Sequence, residues 1–93
     1  MGWGVTAPVG IAMPLPPYTK EARSARIDGV IVLACVVRKD GFVNGCQILS
    51  GLGYGLDEAA IRTVTSEWRF KPGTFLGKPF DVRANIEVTF KIK

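Results

Sequence analysis

The chain has 93 residues, of which 47% are hydrophobic and 22% are charged, and its formal net charge is +4. This composition is that of one ordinary globular domain with a modest core. The sequence has no histidine and two cysteines, which removes the commonest general base and any zinc site made by cysteines alone. The basic residues are scattered among acidic ones, so charge alone does not indicate nucleic-acid binding. We therefore expect no catalytic residues, no cofactor and no metal.

Residues 1–14 predict an extended, irregular lead-in, because prolines and glycines interrupt any regular pattern there. The lead-in is either a linker remnant or an arm that lies along the domain and covers its apolar side chains, which are Trp3, Val9, Ile11 and Met13. We place the boundary before Leu15 and expect residues 15–93 to form the domain, with Leu15–Tyr18 packed against it. No segment is apolar and long enough to span a bilayer, so an anchor or export signal would lie outside this chain.

The first half of the domain predicts a helix followed by a hairpin. Thr19 can cap a helix over about 20–26. Residues 30–37 are apolar on both faces, which is typical of a central strand whose second face is at least partly covered. Lys39-Asp40-Gly41 predicts the turn and 42–49 the returning strand, in which Gly45 marks a bulge or a close backbone contact.

The second half predicts another helix and a final strand. Leu56, Ala60, Val64 and Trp68 recur every four residues, as on the buried face of a helix. Residues 81–93 alternate strictly between apolar and polar, which predicts a strand with one buried face. Because nothing follows it, this strand should lie at a sheet edge. The predicted fold class is α+β, with two helices packed on one face of a three-stranded antiparallel sheet.

The two cysteines fall on the two strands of the hairpin. If Asp40-Gly41 is a two-residue turn, Cys35 lies directly opposite Cys46. That count makes them a hydrogen-bonded pair with Cα atoms about 5.5 Å apart, inside disulfide range. Two buried free thiols are the alternative, and a bulge at Gly45 would shift the register.

The densest aromatic and basic cluster is Trp68-Arg69-Phe70-Lys71-Pro72. Such a cluster can stack nucleobases. We favour the alternative, in which Trp68 and Phe70 close the core where the helix ends while Arg69 and Lys71 bond the terminal carbonyls.

Six short blocks together carry a family resemblance. They are Pro16-Pro17-Tyr18-Thr19-Lys20-Glu21-Ala22-Arg23, Ile27-Asp28-Gly29-Val30-Ile31-Val32, Asp40-Gly41-Phe42-Val43, Leu56-Asp57-Glu58-Ala59-Ala60, Trp68-Arg69-Phe70-Lys71-Pro72 and Gly77-Lys78-Pro79. In this order, over roughly residues 15–93, they resemble the C-terminal domain of the TonB energy-transducer family.

The resemblance implies the periplasmic, receptor-binding domain of an inner-membrane-anchored protein whose anchor lies outside this chain. Its partners would be TonB-dependent outer-membrane receptors, whose TonB-box peptide adds as a strand to the last strand, and the ExbB–ExbD complex, which powers the transmitted force through absent upstream segments. The partner-binding residues that the resemblance implies are Leu15, Pro16, Pro17, Tyr18, Arg83, Ala84, Asn85, Ile86, Glu87, Val88, Thr89, Phe90 and Lys91. The better-known members carry glutamine where Leu15 stands and proline where Thr19 stands.

Two alternatives remain open from the sequence. The same free edge would serve a self-pairing domain, a homodimer or scaffold of an envelope protein. A small nucleic-acid-binding module is the other alternative, whereas the transducer hypothesis expects no nucleic acid. Val88→Pro is expected to remove a backbone donor from the last strand and to abolish peptide capture or sheet pairing, with a loss of stability.

Overall fold

A computed structural model of the chain describes residues 4–92. The predicted packing of Trp3 and the last predicted strand residue, Lys93, lie outside the described residues. The elements are β1 (Val5–Thr6), β2 (Val9–Ala12), α1 (Lys20–Ser24), β3 (Gly29–Val37), β4 (Val43–Ser50), α2 (Leu56–Glu67), β5 (Arg69–Lys71), β6 (Thr74–Phe75), β7 (Lys78–Pro79) and β8 (Val82–Phe90).

The principal sheet is three-stranded and antiparallel, with the strand order β4-β3-β8. β8 pairs with β3 over nine residue pairs, from Gly29–Phe90 to Val37–Val82, without a register shift. Among the described residues β8 pairs with no other strand, which confirms that the final strand lies at a sheet edge.

The core lies on the helix-covered face of this sheet, where the alternation of β3 and β8 directs every second side chain. Its buried members include Ile31, Leu33, Cys35, Val37, Leu56, Ala60, Val64, Ile86, Val88 and Phe90. Full burial of each large aliphatic side chain contributes roughly 1.5–3 kcal/mol. The opposite face of β3 is only partly covered, as expected, because Val32 and Val36 are half-buried and Val30 is exposed.

The predicted helix positions are close to those found, but the two helices are not equivalent. Thr19 caps α1, since its hydroxyl accepts a hydrogen bond from the Ala22 N–H at 3.1 Å. α1 has only five residues, and Ala22 is its one buried residue. α2 has twelve residues and packs on β3 and β4 through the predicted stripe. The prediction that two helices pack on one face of the sheet is therefore correct only in part, because the packing on the strands comes mainly from α2.

The sheet count also differs from the prediction, because two small antiparallel ladders accompany the principal sheet. β1, β6 and β7 form one ladder, and β2 and β5 form the other. These strands have two to four residues, too few for hydrophobic alternation to reveal them. Part of the lead-in therefore runs along the domain as an arm. Its pairing is through the backbone, because Val9 and Ile11 remain 59% and 70% exposed.

The hairpin loop between β3 and β4 is one residue longer than predicted. The Arg38 N–H donates to the Phe42 carbonyl at 2.7 Å, so the loop is residues 39–41, and Gly41 provides the positive φ of 87° that it requires. A register shift then falls between Ala34 and Val36 of β3. It is a bulge in β4 at Gly45, whose φ is 62°. The extra loop residue shifts the pairing of β3 with β4 by one residue, and the bulge shifts it back by one. Beyond Gly45 the pairing of the two strands is therefore the predicted one.

As a result Cys35 and Cys46 face each other as predicted, and they form a disulfide. Their Cα atoms are 4.0 Å apart. This is the narrow spacing of a non-hydrogen-bonded pair, not the wider spacing of about 5.5 Å that a two-residue turn predicted. The facing of the cysteines and the bulge at Gly45 were predicted correctly, but the type of pair and the effect of the bulge on the register were not.

The disulfide generates a test of stability. Because it closes a short loop in the unfolded chain, the Cys35→Ala/Cys46→Ala variant should lose about 2–3 kcal/mol of unfolding free energy. Urea unfolding with and without a reductant measures this, and reduction should lower the stability of the wild type but not that of the variant. Alkylation of two thiols in the air-oxidised, unreduced protein, seen by mass spectrometry, would contradict the disulfide.

Gly41 generates a second test, because a Cβ there would collide with the Phe70 carbonyl oxygen. Gly77 is the matched control, since its φ of 81° is similar and a Cβ added there would meet nothing within 4 Å. Gly77→Ala should cost about 1–2 kcal/mol of unfolding free energy from φ alone. Gly41→Ala should cost clearly more, because it also disturbs the bond from the Phe70 N–H to the Gly41 carbonyl. Equal losses in thermal unfolding would show that the loop does not rest on β5.

Candidate partner-binding site

The direction of the backbone polar groups of β8 follows from the hairpin. Arg38 donates to Phe42, so even-numbered residues at that end of β3 turn their N–H and C=O groups toward β4. Because these groups alternate along a strand, the odd-numbered residues of β3 turn theirs toward β8. Odd residues of β3 lie opposite even residues of β8, for example Ile31 opposite Val88. The odd residues of β8 therefore direct their N–H and C=O groups to the free edge.

The predicted binding residues of β8 thus divide into two sets. Arg83, Asn85, Glu87 and Thr89 are exposed, and their backbone groups line the free edge. The intervening set is Ala84, Ile86, Val88 and Phe90, of which the last three are buried in the core and all pair with β3. Lys91 is exposed just beyond the end of the strand.

The predicted segment before α1 is only partly packed. Pro16 is buried and Tyr18 is half-buried, whereas Pro17 is exposed. Leu15 is 76% exposed, so the expectation that it packs is wrong. The segment is held from its start, because the Trp68 indole N–H donates to the Pro14 carbonyl at 2.9 Å.

Tyr18 fixes this segment beside the end of β8. Its hydroxyl donates to the Ile27 carbonyl at 2.8 Å, and its ring packs edge-on against Phe90 with centroids 5.4 Å apart. Desolvation raises the pKa of the Tyr18 phenol above its usual range, and the Asp28 carboxylate raises it further. Tyr18 therefore remains a neutral donor at physiological pH.

The two predicted binding segments meet in a pocket of about 930 Å³ at the C-terminal end of β8. It is lined by Leu15, Pro16, Tyr18, Arg23, Arg26, Thr89, Phe90, Lys91 and Ile92. Arg23, Arg26 and Ile92 were not predicted. No sequence signal places the short helix α1 next to the end of β8, so these residues could be found only from the fold.

The aromatic and basic cluster after α2 has the structural role that we favoured except at Lys71, which is exposed and bonds no carbonyl among the described residues. Trp68 is 5% exposed, and its ring is not available to stack a nucleobase. The Arg69 guanidinium donates to the carbonyls of Trp68 and Ser66 at 2.6 and 3.0 Å, and it lies 3.7 Å from the centroid of the Phe42 ring. Arg69 thus closes the end of α2 over the hairpin loop.

The aspartates likewise hold backbone turns. Asp28 accepts a hydrogen bond from the Ile92 N–H, and Asp40 accepts one from the Phe42 N–H. Asp57 accepts hydrogen bonds from the N–H groups of Leu52 and Gly53, and Asp81 accepts one from the Lys39 N–H. Within residues 4–92 no group of three histidine, cysteine or acidic residues is placed to hold a metal ion. Nor is any helix of this part long and apolar enough to cross a membrane.

Comparison with known sequences gives one family. The family model described as "Gram-negative bacterial TonB protein C-terminal" matches residues 14–92. Protein TonB of Klebsiella pneumoniae is 31% identical over 87 residues, which cover 87% of this chain and 36% of that protein. Protein TonB of Klebsiella aerogenes is 33% identical over 73 residues, which cover 75% of this chain and 30% of that protein. The chain spans about a third of the length of these curated relatives.

A solved structure has a similar fold. It is the solution NMR structure of the Pseudomonas aeruginosa TonB CTD, and it matches with a TM-score of 0.69 at 23% identity. The match covers 97% of this chain and 88% of that one. At this identity it shows the α+β fold alone.

The Tyr18 hydroxyl provides a test of how the segment is held. Tyr18→Phe keeps the ring against Phe90 but loses the bond to the Ile27 carbonyl, and should cost about 0.5–1.5 kcal/mol of unfolding free energy. Tyr54→Phe is the matched control, because the exposed Tyr54 hydroxyl has no hydrogen-bond partner in the described part of the chain. Urea unfolding of both variants measures the difference, and identical stabilities would show that the hydroxyl does not hold the segment.

Proposed function

The chain belongs to the Gram-negative TonB C-terminal family, and on that premise we propose that it is the periplasmic receptor-binding domain of a TonB-type energy transducer. It captures the TonB box of an outer-membrane receptor by strand addition to β8 and transmits force for active transport. The inner-membrane anchor and the contact with ExbB–ExbD belong to the part of the relatives that this chain does not span. The family is one of non-enzymatic transducers, so the proposed function includes no catalytic step.

The observation that carries the proposal is the free edge of β8. Arg83, Asn85, Glu87 and Thr89 offer N–H and C=O groups in one unbroken row. Each main-chain hydrogen bond to an added strand contributes about 0.5–1.5 kcal/mol net. Ordering the peptide opposes this gain, so the proposal expects a modest affinity that a pulling cycle can release.

The geometry of the ladder also suits the transmission of force. A peptide added to β8 runs along the strand, so a pull on the peptide is directed along the ladder. Its hydrogen bonds are then loaded together rather than one after another. The load passes to β3 through nine residue pairs without a bulge.

Self-pairing through β8 is the second candidate function, and one observation favours it. An antiparallel pair of two β8 strands centred on Asn85 would place Arg83 opposite Glu87 twice. Opposite charges in this position stabilise a strand pair by roughly 0.2–1 kcal/mol each. Sedimentation over a wide concentration range distinguishes the candidates, because a tight dimer would leave no edge for a receptor peptide. A nucleic-acid function has no such support, since Trp68 is buried.

The decisive experiment uses proline at adjacent positions of β8. Glu87→Pro removes a free-edge donor, and edge strands tolerate proline where the missing N–H faces solvent. It should leave folding near that of the wild type and weaken binding of a synthetic TonB-box peptide about tenfold, measured by calorimetry. Val88→Pro should instead unfold the β3–β8 ladder, since the Val88 N–H is directed to β3. The loss of stability that the sequence led us to expect for this variant is then its main effect.

Glu87→Ala is the matched control for the side chain. It keeps the backbone donor and should change the affinity by less than about twofold, because an exposed charge contributes little. If Glu87→Ala weakens binding as much as Glu87→Pro, the peptide is read through side chains and strand addition is wrong. If peptide binding shifts no NMR signal in β8, the proposed function is wrong.

A further inference from the structure

The arm that precedes the domain, residues 4–14, contributes almost nothing to the core. None of residues 4–15 is buried, and Pro16 is the first buried residue in the described part of the chain. Burial of apolar surface is the main force that holds secondary structure elements on a domain. The arm therefore depends on its hydrogen bonds much more than β8 or α2 does.

These hydrogen bonds fall into two short ladders. β1 pairs with β6 over two residue pairs, and β2 pairs with β5 over three, with a register shift among them. Residues 7–8 belong to neither ladder. At the two ends, the Leu76 N–H donates to the Gly4 carbonyl at 2.8 Å, and the Trp68 indole N–H donates to the Pro14 carbonyl at 2.9 Å. The ladders are thus separate, and one can open before the other.

The arm and β8 carry the same tension under the proposed function. Force enters the domain from the upstream chain at the start of the arm and leaves it through the peptide on β8. Elements that are loaded in series experience the same force, so the weakest opens first. β8 is joined to β3 over nine pairs without a register shift, and it buries Ile86, Val88 and Phe90. The arm has fewer pairs and no buried side chain, as segments that open locally do.

We propose that the arm is a strap that yields to tension. When tension reaches residue 4, the arm detaches from β6 and β5 while the principal sheet stays folded. The point of loading then moves from Gly4 to Pro14, and the eleven detached residues form a tether of up to about 40 Å. This inference rests on the proposed function and goes beyond it, because strand addition explains how a peptide is held but not how the tension on it is limited.

The strap closes again when the tension falls. The detached arm stays covalently joined to the domain at Pro14, so its pairing with β5 and β6 is intramolecular and is favoured by a high effective concentration. A peptide that leaves β8 has no such link. Yielding of the arm therefore lengthens the connection during a peak of tension, before the load separates the peptide from β8.

The test pulls single molecules in magnetic tweezers, without a reductant, so that the native disulfide stays closed. One handle is attached at the N-terminus and the other at Glu87→Cys, an exposed position on the free edge of β8. We expect a reversible extension of up to about 40 Å at a lower force than the cooperative unfolding of the core.

A locked variant assigns this first extension to the arm. Thr6 lies opposite Thr74, and their hydroxyl oxygens are 2.7 Å apart. Facing residues of an antiparallel pair are close enough for a disulfide. Thr6→Cys/Thr74→Cys should therefore lose the first extension and keep the unfolding of the core. Thr6→Ser/Thr74→Ser is the matched control, because it retains both hydroxyls and should keep the first extension.

A second control moves the N-terminal handle to Lys20→Cys, an exposed position beyond the arm. This load bypasses the arm, so the first extension should disappear. If the extension persists in the locked variant or with the handle at Lys20→Cys, it arises elsewhere and the strap is wrong. If the core unfolds with no earlier extension, the strap is wrong as well.

A pull on the peptide separates failure of the strap from failure of the proposed function. Here the second handle is on a synthetic TonB-box peptide, and the first extension should precede detachment of the peptide. If calorimetry shows binding but the peptide detaches with no earlier extension, the strap is wrong and strand addition stands. If the peptide does not bind, while the chain alone shows the extension, the proposed function is wrong and the arm yields to tension all the same.

Discussion

The unbroken pairing of β8 with β3 is the constraint on which the rest of the structure depends. Along a strand, both the side-chain face and the direction of the backbone polar groups repeat every two residues. With no bulge between them, the two repeats stay in phase over all nine pairs. Residues such as Ile86 and Val88 therefore give both side chain and backbone to the domain. In residues such as Asn85 and Glu87, the side chain is exposed and the backbone N–H and C=O groups are directed to the free edge. The same alternation therefore builds the core and leaves an uninterrupted row of backbone polar groups along that edge.

The two edges of the principal sheet are not equivalent, and this difference favours β8 over β4 for the proposed strand addition. β4 is also an edge strand, but its ladder with β3 is interrupted by two register shifts, one of them at Gly45. Bulges make an edge a poor template for another strand. The disulfide between Cys35 and Cys46 fixes this irregular edge on β3. The molecule thus has one irregular edge and one regular edge, and the regular edge is the one to which the proposed function assigns strand addition.

Much of this was predictable because hydrophobic periodicity spans whole elements. The stripe on α2 and the alternation of β8 each involve many residues, so single exceptions do not matter. The small ladders were not predictable, because β6 and β7 have two residues each. The hairpin is instructive, since the extra loop residue and the bulge at Gly45 cancelled and the cysteines faced each other for a partly wrong reason. The arginines of the pocket depend on where α1 packs, which no local pattern encodes.

The two departures from the better-known family members differ in consequence. Where those members carry proline, Thr19 caps α1 through its hydroxyl, so this change is explained by the fold of the chain itself. Where they carry glutamine, Leu15 is 76% exposed and is one of the residues that line the pocket at the end of β8. A polar group there would favour a polar partner, whereas an exposed leucine gains only by covering apolar surface. Under the proposed function, the receptor group that contacts Leu15 is therefore expected to be apolar.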